Sequence, residues 1–168
     1  MKKPISKQVR IAALSLSSSG FGYAVMEGNN QLVGYGKMVI KKNKNARVLV
    51  HTGKIVSRYQ PNVLVLQDVN AKEAYRHQRI KKLHRRITAR AKKSKIEVVE
   101  ISGKELRSTL LGNTAGTKQE MAEHIAKQFP DELASRIPTK REAWTSEDSR
   151  MDIFDAVGIA LTHQRRTK

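Results

Sequence analysis

Asp152 and Asp155 stand three residues apart in Met151-Asp152-Ile153-Phe154-Asp155-Ala156-Val157-Gly158-Ile159-Ala160-Leu161-Thr162-His163, a run otherwise made mostly of apolar and small residues. On a helix this spacing places both carboxylates on one face, about 5–6 Å apart at Cβ. If the apolar pattern means burial, two unpaired acids there repel each other and lose their hydration. A divalent cation would relieve both penalties. The competing reading is a pair in the first helical turn, favoured by the helix dipole. These residues alone leave both open.

The second chemical signal is positive charge. Ten Lys or Arg and no acid lie between Arg76 and Lys95. Ile80, Leu83 and Ile87 form a narrow apolar stripe at helical spacing. The stripe is expected to pack on a sheet, with Arg79, Lys82, Arg86, Arg90 and Lys93 facing outward. Such a face is either simply solvated or a track for nucleic-acid phosphates. No base-reading motif accompanies it, so recognition of backbone shape is expected rather than of sequence. A membrane-surface helix fits less well, because the stripe lacks aromatics.

The elements that must position these residues follow from periodicity. Val9–Leu16, Phe21–Met26 and Leu32–Ile40 read as strands, with Gly28-Asn29-Asn30 as a hairpin turn. Asn45–Tyr59 has helical spacing, stopped by Pro61. Val63–Leu66 is a short apolar run of the buried parallel type. Ala71–Lys93 reads as a long basic helix and Ile96–Ile101 as a fifth strand. Ser102 caps a short helix that ends near Gly112. Thr117-Lys118-Gln119-Glu120 is a capping box opening another helix. Residues 129–148 read as irregular, and the acid-bearing helix follows. The whole predicts one α/β domain over residues 1–168: a mixed five-stranded sheet, three antiparallel strands and then parallel ones, flanked by helices.

Composition narrows the chemistry. Against 33 Lys+Arg there are only 15 Asp+Glu, a formal net charge of +18, which points to a polyanionic partner. With no cysteine, disulfides, zinc–thiolate sites and cysteine nucleophiles are excluded. There is no apolar stretch of membrane-spanning length. The basic start, Met1-Lys2-Lys3-Pro4, lacks the apolar run of a signal peptide. A cytoplasmic, nucleoid-associated location with no membrane partner is expected.

Three segments together resemble the RuvC-type Holliday junction resolvases of the RNase H-like superfamily, over roughly Arg10 to His163. The first is Leu14-Ser15-Leu16-Ser17-Ser18-Ser19-Gly20-Phe21-Gly22-Tyr23-Ala24-Val25, where the family has a strand, an Asp, a Gly/Ser turn and a Gly-Tyr-Gly-Val strand. The second is Gly112-Asn113-Thr114-Ala115-Gly116-Thr117-Lys118, similar to a Gly turn leading to a lysine-bearing helix. The third and most specific is Asp152 to His163, with two acids in register with the small residues and a terminal Thr-His.

The resemblance implies a magnesium-dependent endonuclease in which four acids hold two ions: one acid on the first strand, one on the fourth and two on the last helix. Hard oxygen donors suit that metal. It further implies a homodimer acting on branched DNA, the four-way junction having two symmetric cleavage points. The chain departs from the pattern at two of the four positions. Ser15 stands at the first-strand acid and Gln67 at the fourth-strand Glu, so only Asp152 and Asp155 remain as metal ligands. Weak magnesium binding and an impaired catalytic site are therefore expected. Either a deliberate knock-out or a natural DNA-binding relative would look this way. The alternative function is a non-enzymatic DNA- or RNA-binding module on the same scaffold.

Other residues carry weaker expectations. Asp68 adjoins Gln67 but should point to the opposite face, as an exposed strand end. Lys118, at a helix start where the dipole disfavours a cation, is a candidate phosphate contact near the metals. Arg76 joins the DNA-binding set, and Tyr75 is a candidate to wedge or stack at a branch point. Phe21 and Tyr23 read as core, and Trp144 either stacks on a base or anchors its loop. His163 reads as a cap contact. Ser17, Ser18 and Ser19 have no His/Asp partner pattern, which argues against a nucleophile.

Overall fold

The computed structural model describes residues 8–70, 77–140, 142, 144 and 147–167. Tyr75 and Arg76 therefore lie outside the described residues. Five strands form one sheet: β1 (Arg10–Leu16), β2 (Gly20–Glu27), β3 (Gln31–Val39), β4 (Val63–Gln67) and β5 (Glu97–Ile101), in the order β3-β2-β1-β4-β5. β1, β2 and β3 pair antiparallel, whereas β4 runs parallel to both β1 and β5. This is the mixed sheet that the sequence predicts.

Alternation along β1 and β4 divides the interior in two. Ile11, Ala13, Val63 and Val65 face one core, built with α3 (Gly103–Leu111), α4 (Lys118–Gln128) and α6 (Met151–Arg166). Ala12, Leu14, Leu64 and Leu66 face the other, covered by α1 (Lys44–Tyr59) and α2 (Gln78–Lys93). Every residue of α6 from Met151 to Gln164 is buried, so this helix is central rather than a surface element. Its small residues allow that: a Cβ at Gly158 would stand 2.8 Å from Leu106 Cδ1.

Local signals held well. Ser102 Oγ accepts the Glu105 amide, Thr117 Oγ1 accepts the Glu120 amide, and Gly112 ends α3 in the left-handed conformation. Two details differ. Residues 129–148 include a helix, α5 (Pro130–Leu133), and a 3-10 turn at Ala134–Arg136. The basic helix begins at Gln78, because His77 is extended. His163 makes its cap contact through the backbone alone: its ring is buried inside α6, and its carbonyl accepts both the amide and the hydroxyl of the C-cap residue Thr167. The inner stripe of α2 also carries a histidine. His84 is buried, with Nε2 3.2 Å from Glu100 Oε1, and burial pushes its pKa down.

Candidate functional site

The acids meet at the start of α6. Asp152 and Asp155 are both buried, so the spacing argument places them correctly. Glu147, from the segment before the helix, joins them: one carboxylate oxygen from each of the three residues lies within 4.8 Å of the others. The sequence pattern did not reveal Glu147, since nothing in an irregular segment indicates where its side chain will fall.

Lys118 closes the cluster. Its ammonium is 2.9 Å from Glu147 Oε1 and 3.4 Å from Asp155 Oδ2. Burial opposes its charge, but Asp155 and Glu147 outweigh burial and hold its pKa above the ordinary value. These partners explain a cation on the first turn of α4 despite the helix dipole. Ser17 Oγ donates a 2.7 Å hydrogen bond to Asp152 Oδ2. Even so, Asp152 has its pKa pushed up to about 6, mainly by burial, with Asp155 and Glu147 adding repulsion. Asp148 behaves oppositely. Arg150 grips it at 2.7 Å and holds its carboxyl down at about 2.

Ser15 and Gln67 sit beneath this cluster. Ser15 is paired with Gly22, and a Cβ at Gly22 would lie 2.2 Å from the Asp152 carbonyl oxygen. Residues directly opposed in an antiparallel pair share a face, so Ser15 faces the first turn of α6. Gln67 lies two residues beyond Val65 and so faces the same side. Both follow directly on the paired Leu14 and Leu66. Asp68 faces away, half-buried, with its Oδ1 accepting the Asn70 amide at 2.9 Å. It is an Asx turn rather than an exposed strand end.

The donor set can be tested against the expected ion. Glu147, Asp152 and Asp155 are hard oxygen donors within reach of one centre, which fits a single magnesium-class cation. Ser15 and Gln67 are neutral and add no charge for a second.

The basic helix is only partly as expected. Lys82, Arg86, Arg90 and Lys93 are exposed along α2. Arg79 is turned inward instead: Nη1 donates to Asn45 Oδ1 at 2.8 Å, and Nη2 reaches the Ser18 and Ser17 carbonyls at 3.4 and 3.5 Å. Its place at the head of the helix, beside the β1–β2 turn, offers it carbonyl partners that the later residues of the row lack. Phe21 is core and Tyr23 half-buried. Trp144 is 82% exposed and does not anchor its loop.

No protein-family model matches the sequence, and no curated protein matches it. Solved structures do. RuvC of Thermus thermophilus superposes with a TM-score of 0.69 at 15% identity, over 95% of each chain. The same protein in complex with a Holliday junction substrate gives 0.70 at 16% identity, over 95% of this chain and 94% of that one. The fold is that of the RuvC-type Holliday junction resolvases. The yeast mitochondrial resolvase Ydc2 shares it more loosely, with a TM-score of 0.58 at 13% identity, over 97% of this chain and 80% of that chain. In the RuvC fold of this chain, the acid pair rides on the buried last helix and the neutral pair on the two central strands. Among the described residues no helix is long and apolar enough to cross a membrane.

Proposed function

We propose that this protein binds four-way DNA junctions on a RuvC-type scaffold, as a homodimer, and cuts them poorly or not at all. One observation carries the reading. The two sheet positions facing Asp152 and Asp155 are the neutral Ser15 and Gln67, so both strand carboxylates of a two-metal site are missing. The junction-bound state of a structural neighbour supports the choice of substrate.

The residues divide the work. Lys82, Arg86, Arg90 and Lys93 carry backbone phosphates; Arg76 and Tyr75, outside the described residues, keep the phosphate-contact and branch-point roles that the sequence suggests. Glu147, Asp152 and Asp155 would hold one magnesium ion. Magnesium bound there supplies an activated water and stabilises the leaving oxygen of the scissile phosphate. Lys118 fixes the orientation of Glu147 and Asp155 and offsets their mutual repulsion. Ser15 and Gln67 supply shape without charge.

The test compares the chain as it stands with Ser15→Asp/Gln67→Glu. Both should bind a four-way junction more tightly than linear duplex of the same sequence in competition gel shifts. Only the restored protein should cut junctions with added magnesium, and Asp155→Asn in that background should abolish the cutting. Robust cutting by the unmodified chain would overturn the reading. Equal competition by linear duplex would favour a general nucleic-acid-binding module.

A further inference from the structure

We infer that Ser17 and Arg79 are positioning residues for the acid cluster, joined in a strap that runs from the basic helix through the β1–β2 turn to Asp152. The inference deepens the proposed function: it takes the cluster to be that cation site.

The strap is built from hydrogen bonds of 2.6 to 3.5 Å, the longest being those from Arg79 to the turn carbonyls. At the acid end, Ser17 Oγ gives its proton to Asp152 Oδ2 at 2.7 Å. Ser17 thus acts on the cluster through the Asp152 carboxylate. The turn is closed by the Ser17 amide on the Gly20 carbonyl at 3.0 Å, and the Ile40 amide holds the Ser19 carbonyl at 2.8 Å. Two cations grip it from the α1/α2 side. Lys44 Nζ donates to the Ser18 carbonyl at 2.6 Å, and Arg79 spans the Ser17 and Ser18 carbonyls. Arg79 is in turn fixed by a reciprocal pair with Asn45, whose Nδ2 donates to the Arg79 carbonyl at 3.2 Å while Oδ1 accepts from Nη1 at 2.8 Å.

Placement argues that these cations belong to the turn. Lys44 and Arg79 lie in the first turns of α1 and α2, neither of which holds an acid in its first turn. The helix dipole disfavours a cation at both places. The turn carbonyls, bearing partial negative charge, compensate. Arg79 is therefore committed where the next four basic residues of its row are exposed, and the two faces of the sheet are linked around the strand ends.

The test uses the full chain with Ser17→Ala, Arg79→Gln, Arg79→Lys and Lys82→Gln. The first readout is the carboxyl ¹³C resonance of Asp152 with amide exchange at Ser17 and Gly20. Ser17→Ala should move the resonance. Arg79→Gln should move it the same way and speed the exchange, Arg79→Lys should return both toward the parent values, and Lys82→Gln should change neither. The second readout is Mn²⁺ binding by electron paramagnetic resonance. Ser17→Ala and Arg79→Gln should each weaken it about 3- to 10-fold, the worth of one hydrogen bond. The double variant should be no weaker than Ser17→Ala alone, because both act on one carboxylate. An Asp152 resonance unmoved by Arg79→Gln, or single losses that multiply in the double variant, would overturn the strap. If the parent chain bound no Mn²⁺, the cation-site reading would fall while the Asp152 resonance still judged the strap. Should Arg79→Gln not fold, Asn45→Ala removes the guanidinium's 2.8 Å anchor and is read in the same way.

Discussion

Replacing Lys82, Arg86, Arg90 and Lys93 together by Gln should remove most of the electrostatic binding of DNA. Spaced four, four and three apart, they share one helix face, and at 1.5 Å per residue the row is about 16 Å long. Duplex DNA presents a phosphate about every 3.4 Å of axis on each strand, so the row can meet four phosphates of one backbone. Each neutralised phosphate contributes about −0.9 to the slope of log affinity against log salt. The quadruple variant should therefore flatten the slope by about 3.6 and weaken binding roughly a thousandfold or more near 0.1 M salt. Arg79→Gln should leave the slope almost unchanged, because that guanidinium is held by Asn45 and the turn carbonyls. The assay is fluorescence anisotropy with a labelled junction across a salt series. An unchanged slope in the quadruple variant would show α2 to be a merely solvated face, and the charge argument would fail.

Three further outcomes are expected. Gly22→Ala would drive a Cβ to 2.2 Å from the Asp152 carbonyl oxygen, so it should destabilise the fold by about 3 kcal/mol; an unshifted urea midpoint would rule out so close an approach. Asp152 has a folded-state pKa of about 6 against an ordinary 3.8, so without divalent cations its contribution to stability falls as pH rises from about 4 to about 6. Asp152→Asn should remove that dependence and be more stable at pH 7, by about 3 kcal/mol at most; a less stable variant in EDTA would contradict this. Trp144, the only tryptophan, stands 82% exposed, and its fluorescence should be quenched by bound junction DNA through base stacking, whereas unchanged emission at saturation would exclude a stacking role.

Much of the architecture was readable because its signals are local. Strand alternation, the caps at Ser102 and Thr117 and the stop at Gly112 depend on neighbours a few residues away. Asp152 and Asp155 were readable for the same reason, since helical spacing alone brings them together. Glu147 was not, because its approach depends on the path of an irregular segment. Arg79 shares a periodic row with Lys82 and Arg86, and periodicity cannot distinguish a solvated arginine from one meeting a turn that lies 62 residues earlier in sequence. The start of the basic helix at Gln78 was also hidden, as the preceding residues carry no N-cap signal.

The sheet also acts as a partition. Its two faces support separate apolar interiors, one beneath the acids and one beneath the basic row of α2. Mutations on one side can accumulate with little consequence for packing on the other. On the function proposed above, a lineage with this layout can let its cutting chemistry decay while its grip on DNA stays under selection, or regain the chemistry later through side chains alone. The backbone would serve both a scissor and a clamp, and the passage between the two professions would be two residues wide.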